Sequence, residues 1–231
     1  GYSADAVSLD LEAIMNGEDE EGYELLLSDI DAIAEYLKEL QSYDIPILWR
    51  PLHEAGGDPK WNNPWFWWGS GGSDSYVKLW QLMYDRLTNY HNLNNLIWVW
   101  NGQNVNWYPG DEYVDIIGYD YYAEEHDYSS QKSTFDYIRS STDTTKIITL
   151  SENGVIPDPD ACFSDGTRWS WFCTWTGEFT VKDYQLSGQY TELDMWKKVY
   201  THERVLTLSE LPDWKAYPLD PEKFREENGL N

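Results

Sequence analysis

Apolar positions recur along the chain in two patterns. From Glu24 to Tyr43 they fall at Leu26, Ile30, Ile33, Leu37 and Leu40, a spacing that predicts an amphipathic helix. The same spacing runs from Tyr76 to Tyr90, with Leu79, Leu82, Met83 and Leu87 inward and Ser73 or Asp74 as the cap. Shorter helices are predicted over Phe135 to Ser140 and Thr191 to Tyr200. Elsewhere the apolar runs are short and continuous: Ile45 to Leu52, Leu96 to Trp100, Val114 to Tyr122, Lys146 to Leu150 and Trp169 to Trp175. Runs without alternation suit parallel strands covered on both faces. Residues 1 to 22 are polar and acidic, with Val7, Leu9, Leu11 and Ile14 as sparse apolar points, which predicts a loop with a short helical turn. A Pro/Asp/Gly loop is predicted between Asn153 and Trp169, and the tail from Pro212 is polar.

Strands alternating with helices, without repeats or low-complexity tracts, imply an α/β fold with a parallel sheet. Glu54 and Glu152, 98 positions apart, both follow apolar strands directly. A (β/α)8 barrel of about 250 residues has units of about 31, so the two acids lie about three units apart on the same rim, where active sites of this fold are built. Only about five strands are predicted, whereas a barrel needs eight, and the stretch from Trp100 to Val114 is too short for a full helix. Three further strands are therefore expected upstream of Gly1. Residues 1–231 would then be the C-terminal part of a single barrel domain, completed by an N-terminal segment or another chain.

Charge narrows the partners. Lys and Arg number 16 and Asp and Glu 41, a formal net charge of −25. Such a surface repels phosphate backbones, anionic membranes and acidic polysaccharides, and leaves a neutral polymer acceptable. Aromatic residues make up 16% of the chain, including 14 Trp and 18 Tyr, so acidity here does not mean disorder. More Trp fall in loop contexts than a core would absorb, which predicts a ring-lined surface groove. No apolar run of 18 residues exists, so no membrane span is expected, and the first residues lack the pattern of a signal peptide. Cys162 and Cys173 are expected either to bridge, in keeping with an oxidising compartment, or to stand as two unpaired thiols.

The stretch that concentrates chemistry is Ile45 to Gly69, IPILWRPLHEAGGDPKWNNPWFWWG. It delivers Arg50, His53 and Glu54 at a strand end and follows them with a loop carrying Trp61, Trp65, Phe66, Trp67 and Trp68. Two readings fit: carboxylate chemistry on a sugar, or a buried Arg50–Glu54 ion pair beneath an aromatic cluster. Glycoside hydrolysis commonly sets two carboxyl groups across the scissile bond, and Glu54 with Glu152 is the pair that strand-end placement selects. Asp120 and Glu178 are the other acidic candidates. Ser151 and Asn153 flank Glu152 with polar groups that support an anion, whereas aromatic rings near Glu54 favour its neutral form. Arg50 serves either as a barrel-interior salt bridge tuning both acids or as a substrate contact. Asp120 and Tyr122 share a strand and are expected to point to opposite faces, so that at most one reaches the site. The four histidines, His53, His91, His126 and His202, lack ligand spacing, and no phosphate loop or nucleophile elbow is present, so neither a metal nor a cofactor is expected.

LWRPLHEAGG…WFWWG, the later VDIIGYDYY and the LSENG segment, in that order between Asp29 and about Trp175, resemble glycoside hydrolase family 26, especially its endo-β-1,4-mannanases. RPLHE with WFWWG is a specific combination; SENG alone is weak. The resemblance implies a (β/α)8 TIM barrel of which this chain supplies about strands 4–8, and retaining hydrolysis by acids at the ends of strands four and seven. It implies Glu54 as acid/base and Glu152 as nucleophile. His53 is then a sugar contact or carboxylate-orienting residue, and Tyr122 the tyrosine that hydrogen-bonds the nucleophile. Trp175 in WFCTW, with Trp67 or Trp68, would be the subsite platforms. The loop from Ala55 to Pro64 is longer than the minimal arrangement, which leaves open which Trp faces the glycone. The implied substrate is β-1,4-mannan, glucomannan or galactomannan, cleaved without a cofactor by a secreted enzyme. The rivals are a β-xylanase or mixed-linkage β-glucanase of the same family, and a non-catalytic polysaccharide-binding protein.

Overall fold

The computed structural model describes residues 2–57 and 63–211. Trp61 and the polar tail from Pro212 lie outside the described residues. Helix α1, Leu11–Met15, starts where the Asp10 carboxylate accepts the Ala13 N–H at 3.1 Å. Helix α2, Glu20–Ser42, starts four residues earlier than its apolar stripe suggests. The Asp19 side chain accepts the Gly22 N–H at 2.9 Å, and two glutamates complement the first turn. Leu26, Ile30, Ala34 and Leu37 form its buried stripe, while Ile33 and Leu40, expected inward, lie on the exposed flank. Strand β1, Ile47–Trp49, is shorter than the apolar run because Pro51 has no N–H to donate and Leu52 turns to φ 52°.

Helix α3, Gly72–Tyr84, begins at Gly71 without a side-chain cap; Ser73 and Asp74 fall inside its first turn. A π-helical turn, Asp85–Tyr90, continues it to the end of the expected span. Strand β2 is Leu96–Trp100. Two 3-10 turns, Val105–Trp107 and Asp111–Tyr113, replace a helix before strand β3, Ile116–Tyr121. Helix α4, Lys132–Arg139, then leads to strand β4, Ile147–Asn153. The segment expected to be a loop contains helix α5, Pro159–Asp165. Its local signals were present: Asp158 accepts the Asp160 N–H, Pro159 sits at the start, and Gly166 ends it at φ 84°. Strand β5 is Phe172–Thr174, shorter than expected. A small hairpin follows, β6 Val181–Lys182 with β7 Gln185–Leu186, and then helix α6, Leu193–Tyr200.

Strands β1 to β5 form one sheet in sequential order, every neighbouring pair parallel. Sequential, all-parallel order with helical crossovers is the topology of a (β/α)8 barrel, and these five strands form part of one. The main core lies between the sheet and α2, α3 and α4, where Ile30, Leu37, Trp80, Trp98, Ile117 and Ile138 are buried together. Trp80 also donates its indole N–H to the Tyr113 carbonyl at 3.1 Å, tying α3 to the β2–β3 connection. Truncating a buried tryptophan of this kind to alanine costs about 3–5 kcal/mol. Trp80, Trp98, Trp100, Trp107 and Trp196 are all buried, so the core takes up more of the tryptophan than the loop contexts suggested.

Cys162 and Cys173 are free thiols, which corrects the expected bridge. Helix α5 carries Cys162 to a pocket that Phe172 also lines. Cys173, next along β5, points by strand alternation to the other face and is exposed. Among the described residues no helix is long and apolar enough to cross a membrane.

Candidate active site

All five strands run the same way, so their C-terminal ends share one rim. There Glu54, Asp120, Tyr122, Glu152 and Trp175 line a cleft of about 880 Å³ together with His53, Trp65, Phe66, Trp68 and Gln103. One oxygen from each of Glu54, Asp120 and Glu152 lies within 4.8 Å of the other two. Three carboxyl groups that close attract a cation, and the Arg50 guanidinium supplies it: it meets Glu152 Oε1 at 2.5 Å and Asp120 Oδ2 at 3.2 Å.

The loop after β1 is held in an unusual backbone conformation. Leu52 and Glu54, neither a glycine, take φ values of 52° and 55°. Left-handed backbone at such residues costs energy that the surroundings must offset, and it clusters at functional sites. The offsets are visible. The Glu54 N–H donates to the Asn101 carbonyl at 2.7 Å, the Gly56 N–H to the Gly102 carbonyl at 3.0 Å, and the Trp68 indole to the His53 carbonyl at 2.8 Å. Gly69 passes so close that a Cβ there would lie 2.1 Å from the Ala55 carbonyl oxygen. The WFWWG turn and the HEAGG turn are therefore packed backbone to backbone.

Glu152 is aimed by a bulge. Register between β3 and β4 shifts between Tyr119 and Asp120, so Ser151 is the extra residue on β4. The Ser151 hydroxyl donates to Asp120 Oδ1 at 2.9 Å, close against Gly118, where a Cβ would come within 2.5 Å of its oxygen. Both oxygens of Glu152 accept hydrogen bonds, Oε1 from Arg50 and Oε2 from the Tyr122 hydroxyl at 2.8 Å. Beneath them Arg50 also donates to Asn101 Oδ1 at 2.7 Å, and Gln103 clamps the Asp120 backbone, accepting its N–H at 2.9 Å and donating to its carbonyl at 2.8 Å.

Burial pushes the Glu54 carboxyl above the ordinary range. The negative charge of Glu152 adds to this, while hydrogen bonds from Asp120 and from Trp65 Nε1 (3.1 Å, to Oε2) and the Arg50 charge pull the other way. Burial raises Asp120 well above the carboxylate range, against the pull of Arg50, with Glu152 and Glu54 repelling a second charge. Arg50 is held more basic: burial works against its charge, but Asp120 and Glu152 outweigh it. Tyr122 is raised by burial and by its bond to Glu152, so it stays a neutral phenol and a donor. Burial, then the Arg50 charge, lowers His53, so its imidazole is neutral near pH 7.

The sequence-nominated residues divide as follows. Glu54, Glu152, His53, Tyr122, Trp68 and Trp175 converge on the cleft. Arg50 does not line it; its guanidinium lies with Asp120 and Glu152, and the ion pairs it makes are with them rather than with Glu54. Trp67 turns away and packs with Leu11, Ile14, Leu26 and Leu79, leaving Trp65 and Phe66 beside the cleft. Asp120 and Tyr122 both reach the carboxylate cluster, which corrects the expectation of opposite faces: residues two apart on a strand share a face. Glu178 is not among the cleft residues. Asn101 and Gln103 were not singled out, although their place just past β2 is equivalent to that of Glu54 past β1.

Residues 1–210 match the model of glycosyl hydrolase family 26. The chain is 40% identical over 215 residues to a mannan endo-1,4-beta-mannosidase of Thermothelomyces thermophilus, covering 93% of this chain and 42% of that protein. It is 41% identical over 196 residues to mannan endo-1,4-beta-mannosidase B of Piromyces sp, covering 84% of this chain and 31% of that protein. The chain thus spans less than half the length of these curated relatives. Among solved structures, a GH26-CBM35 beta-(1,4)-mannanase of Podospora anserina superposes with a TM-score of 0.82 at 35% identity, over 94% of this chain and 46% of that one. A beta-mannanase from a symbiotic protist of the termite Reticulitermes speratus, complexed with gluco-manno-oligosaccharide, superposes with a TM-score of 0.76 at 36% identity, over 90% of this chain and 61% of that one.

Proposed function

We propose that this chain, which belongs to glycosyl hydrolase family 26, carries the catalytic pair of a retaining endo-β-1,4-mannanase. The observation that carries the reading is the placement of two carboxyl groups, Glu54 and Glu152, with one oxygen of each within 4.8 Å of the other in an aromatic-lined cleft. Retaining glycosidases hold their carboxyl groups about 5–5.5 Å apart, whereas inverting enzymes leave about 6.5–9.5 Å for a water. An approach of single oxygens to within 4.8 Å is compatible with the retaining spacing and with double displacement.

Glu152 is the nucleophile in this reading. Arg50 and Tyr122 each donate to one of its oxygens, so its carboxylate is held in place and oriented towards the cleft. Glu54 is the acid/base: burial keeps its proton to higher pH, ready for the glycosidic oxygen. After the leaving sugar departs, the Glu54 carboxylate takes a proton from the water that hydrolyses the glycosyl–Glu152 ester. His53, Tyr122, Trp68 and Trp175 shape the sugar site, and Trp65 orients the acid through its indole N–H. The substrate is a neutral β-mannan, galactomannan or glucomannan, in keeping with the net charge of −25.

The test is azide rescue. Glu152→Ala should abolish hydrolysis of galactomannan and, with azide and an activated aryl β-mannobioside, yield a glycosyl azide of inverted configuration. Glu54→Ala should keep activity on the activated substrate and yield the azide with retention. No azide product from either variant would sink the assignment. Wild-type inactivity on galactomannan, barley glucan and xylan alike would favour a binding protein, and preference for either of the last two would move the specificity.

A further inference from the structure

Tyr122 stands one residue past β3 and is 43% exposed, so the sheet does not hold its ring. Its hydroxyl nonetheless meets Glu152 Oε2 at 2.8 Å. A tyrosine hydroxyl lies far from its Cα, and a modest turn about χ1 carries it out of hydrogen-bond reach. Functional groups work when held within about 0.5 Å by neighbours that lock their rotamers.

The lock comes from beyond the barrel sheet. Phe179 ends the 3-10 turn Gly177–Phe179, between β5 and the small hairpin. Its ring stands 5.2 Å from that of Tyr122 at 61°, an edge-to-face contact, and 4.3 Å from that of Tyr190. Phe179 and Tyr122 both press on Gly154, where a Cβ would come 2.9 Å from Phe179 Cε1 and 3.2 Å from Tyr122 Cδ1. Only glycine leaves that space, and the LSENG segment supplies it two residues after Glu152. The turn itself is anchored: the Thr180 hydroxyl donates to the Trp175 carbonyl at 2.8 Å, and the Thr180 N–H to the Gly177 carbonyl at 3.1 Å. Tyr190 is tied to the segment after β3, its carbonyl accepting the His126 N–H at 3.0 Å. Phe179 is not among the residues lining the cleft, so its path to the reacting atoms runs through Tyr122.

We propose that Phe179 is a positioning residue, a ring wedged against Gly154 and Tyr190 that fixes Tyr122 so that its hydroxyl stays on Glu152. The proposal rests on the reading above, with Glu152 as nucleophile and Tyr122 as its donor. The experiment is a double-mutant cycle on galactomannan: wild type, Phe179→Leu, Tyr122→Phe and the double variant. With Tyr122 present, Phe179→Leu should lower kcat about tenfold, the upper end for one ring pair, and change KM by less than about twofold. In Tyr122→Phe, where no hydroxyl is left to aim, the same substitution should cost less than about twofold. Tyr190→Leu, which removes the outer wall and leaves the turn intact, should give a smaller loss with the same dependence on Tyr122; it carries the test should leucine at 179 fail to fold. Equal losses in both backgrounds would mean that the ring serves folding alone. Wild-type kcat in both single variants, Phe179→Leu and Tyr190→Leu, beside a slow Tyr122→Phe would mean that Tyr122 holds its own place. Either result overturns this inference and leaves the catalytic reading intact. Tyr122→Phe at the wild-type rate would instead overturn the role of the hydroxyl, and the wedge with it.

Discussion

Arg50, just past strand β1 at one edge of the sheet, reaches Glu152 on β4, its guanidinium 2.5 Å from Oε1, while the same fork extends to Asp120 on β3. One planar cation thus bridges two carboxyl groups and ties the end of β1 to β3 and β4. Lysine offers a point charge on a flexible stem and cannot bridge both acceptors with that geometry. Arg50→Lys should therefore lower kcat on galactomannan by about 100-fold, the scale seen when a positioned charge donor is lost. Arg50→Met should go further and destabilise the fold by about 3 kcal/mol, because it leaves Asp120 and Glu152 without their cation. Urea denaturation and steady-state kinetics on the two variants check this; wild-type kinetics in Arg50→Lys would show the fork to be dispensable.

Tyr122 touches Glu152 through its hydroxyl and packs its ring 5.2 Å from Phe179. Phenylalanine keeps the ring contact and removes only the donor. Tyr122→Phe should lose about 100-fold in kcat/KM with a stability change near 1 kcal/mol, since one hydrogen bond at a half-exposed site is worth about that much. A loss of stability without a loss of rate would reverse the assignment of roles.

The free cysteines make a simple chemical prediction. Cys162 is half-buried and its thiol is pushed up to about 12 by burial, helped by Asp165 and Asp158, whereas Cys173 is exposed. Reactivity follows the thiolate. Native protein should show one thiol fast towards Ellman's reagent and two after denaturation, and reductant should leave the melting temperature unchanged. A single titratable thiol pair appearing only after reduction would restore the bridge.

Legibility in the chain followed physical scale. The continuous apolar runs announced all five strands of the main sheet; β2, β3 and β4 are largely buried, while the edge strands β1 and β5 each expose one residue, Leu48 and Cys173. Glu54 and Glu152 were visible because each stands directly after such a run. What escaped was set by backbone geometry. The bulge at Ser151 and the left-handed Leu52 and Glu54 arise from pairing between segments far apart in sequence, which no local pattern encodes. The side chosen by Trp67 was likewise decided by the apolar cluster around Leu11 and Ile14, delivered from another part of the chain. Helix α5 was legible from Asp158, Pro159 and Gly166 but was masked by the turn-like composition of its surroundings. The Asp120–Tyr122 error was one of strand period, not of information.

The pH profile tests the acid/base directly. On the proposed assignment activity needs Glu54 protonated, so kcat/KM should fall as pH rises through its pKa. Burial raises that pKa above the ordinary glutamate value, which places the falling limb at higher pH than a solvent-exposed glutamate would give. The Trp65 indole N–H donates to Oε2, stabilises the carboxylate and so lowers the pKa. Trp65→Phe removes that donor and keeps an aromatic surface. The falling limb should then move to still higher pH, even if the rate at the optimum drops through poorer positioning of the acid. The sign is the decisive feature, because loss of sugar contact alone would lower the whole profile without moving its limb. A limb that shifts to lower pH in Trp65→Phe, or stays in place, would mean that the indole does not set the proton affinity of Glu54. The alkaline fall would then have to be assigned to another group.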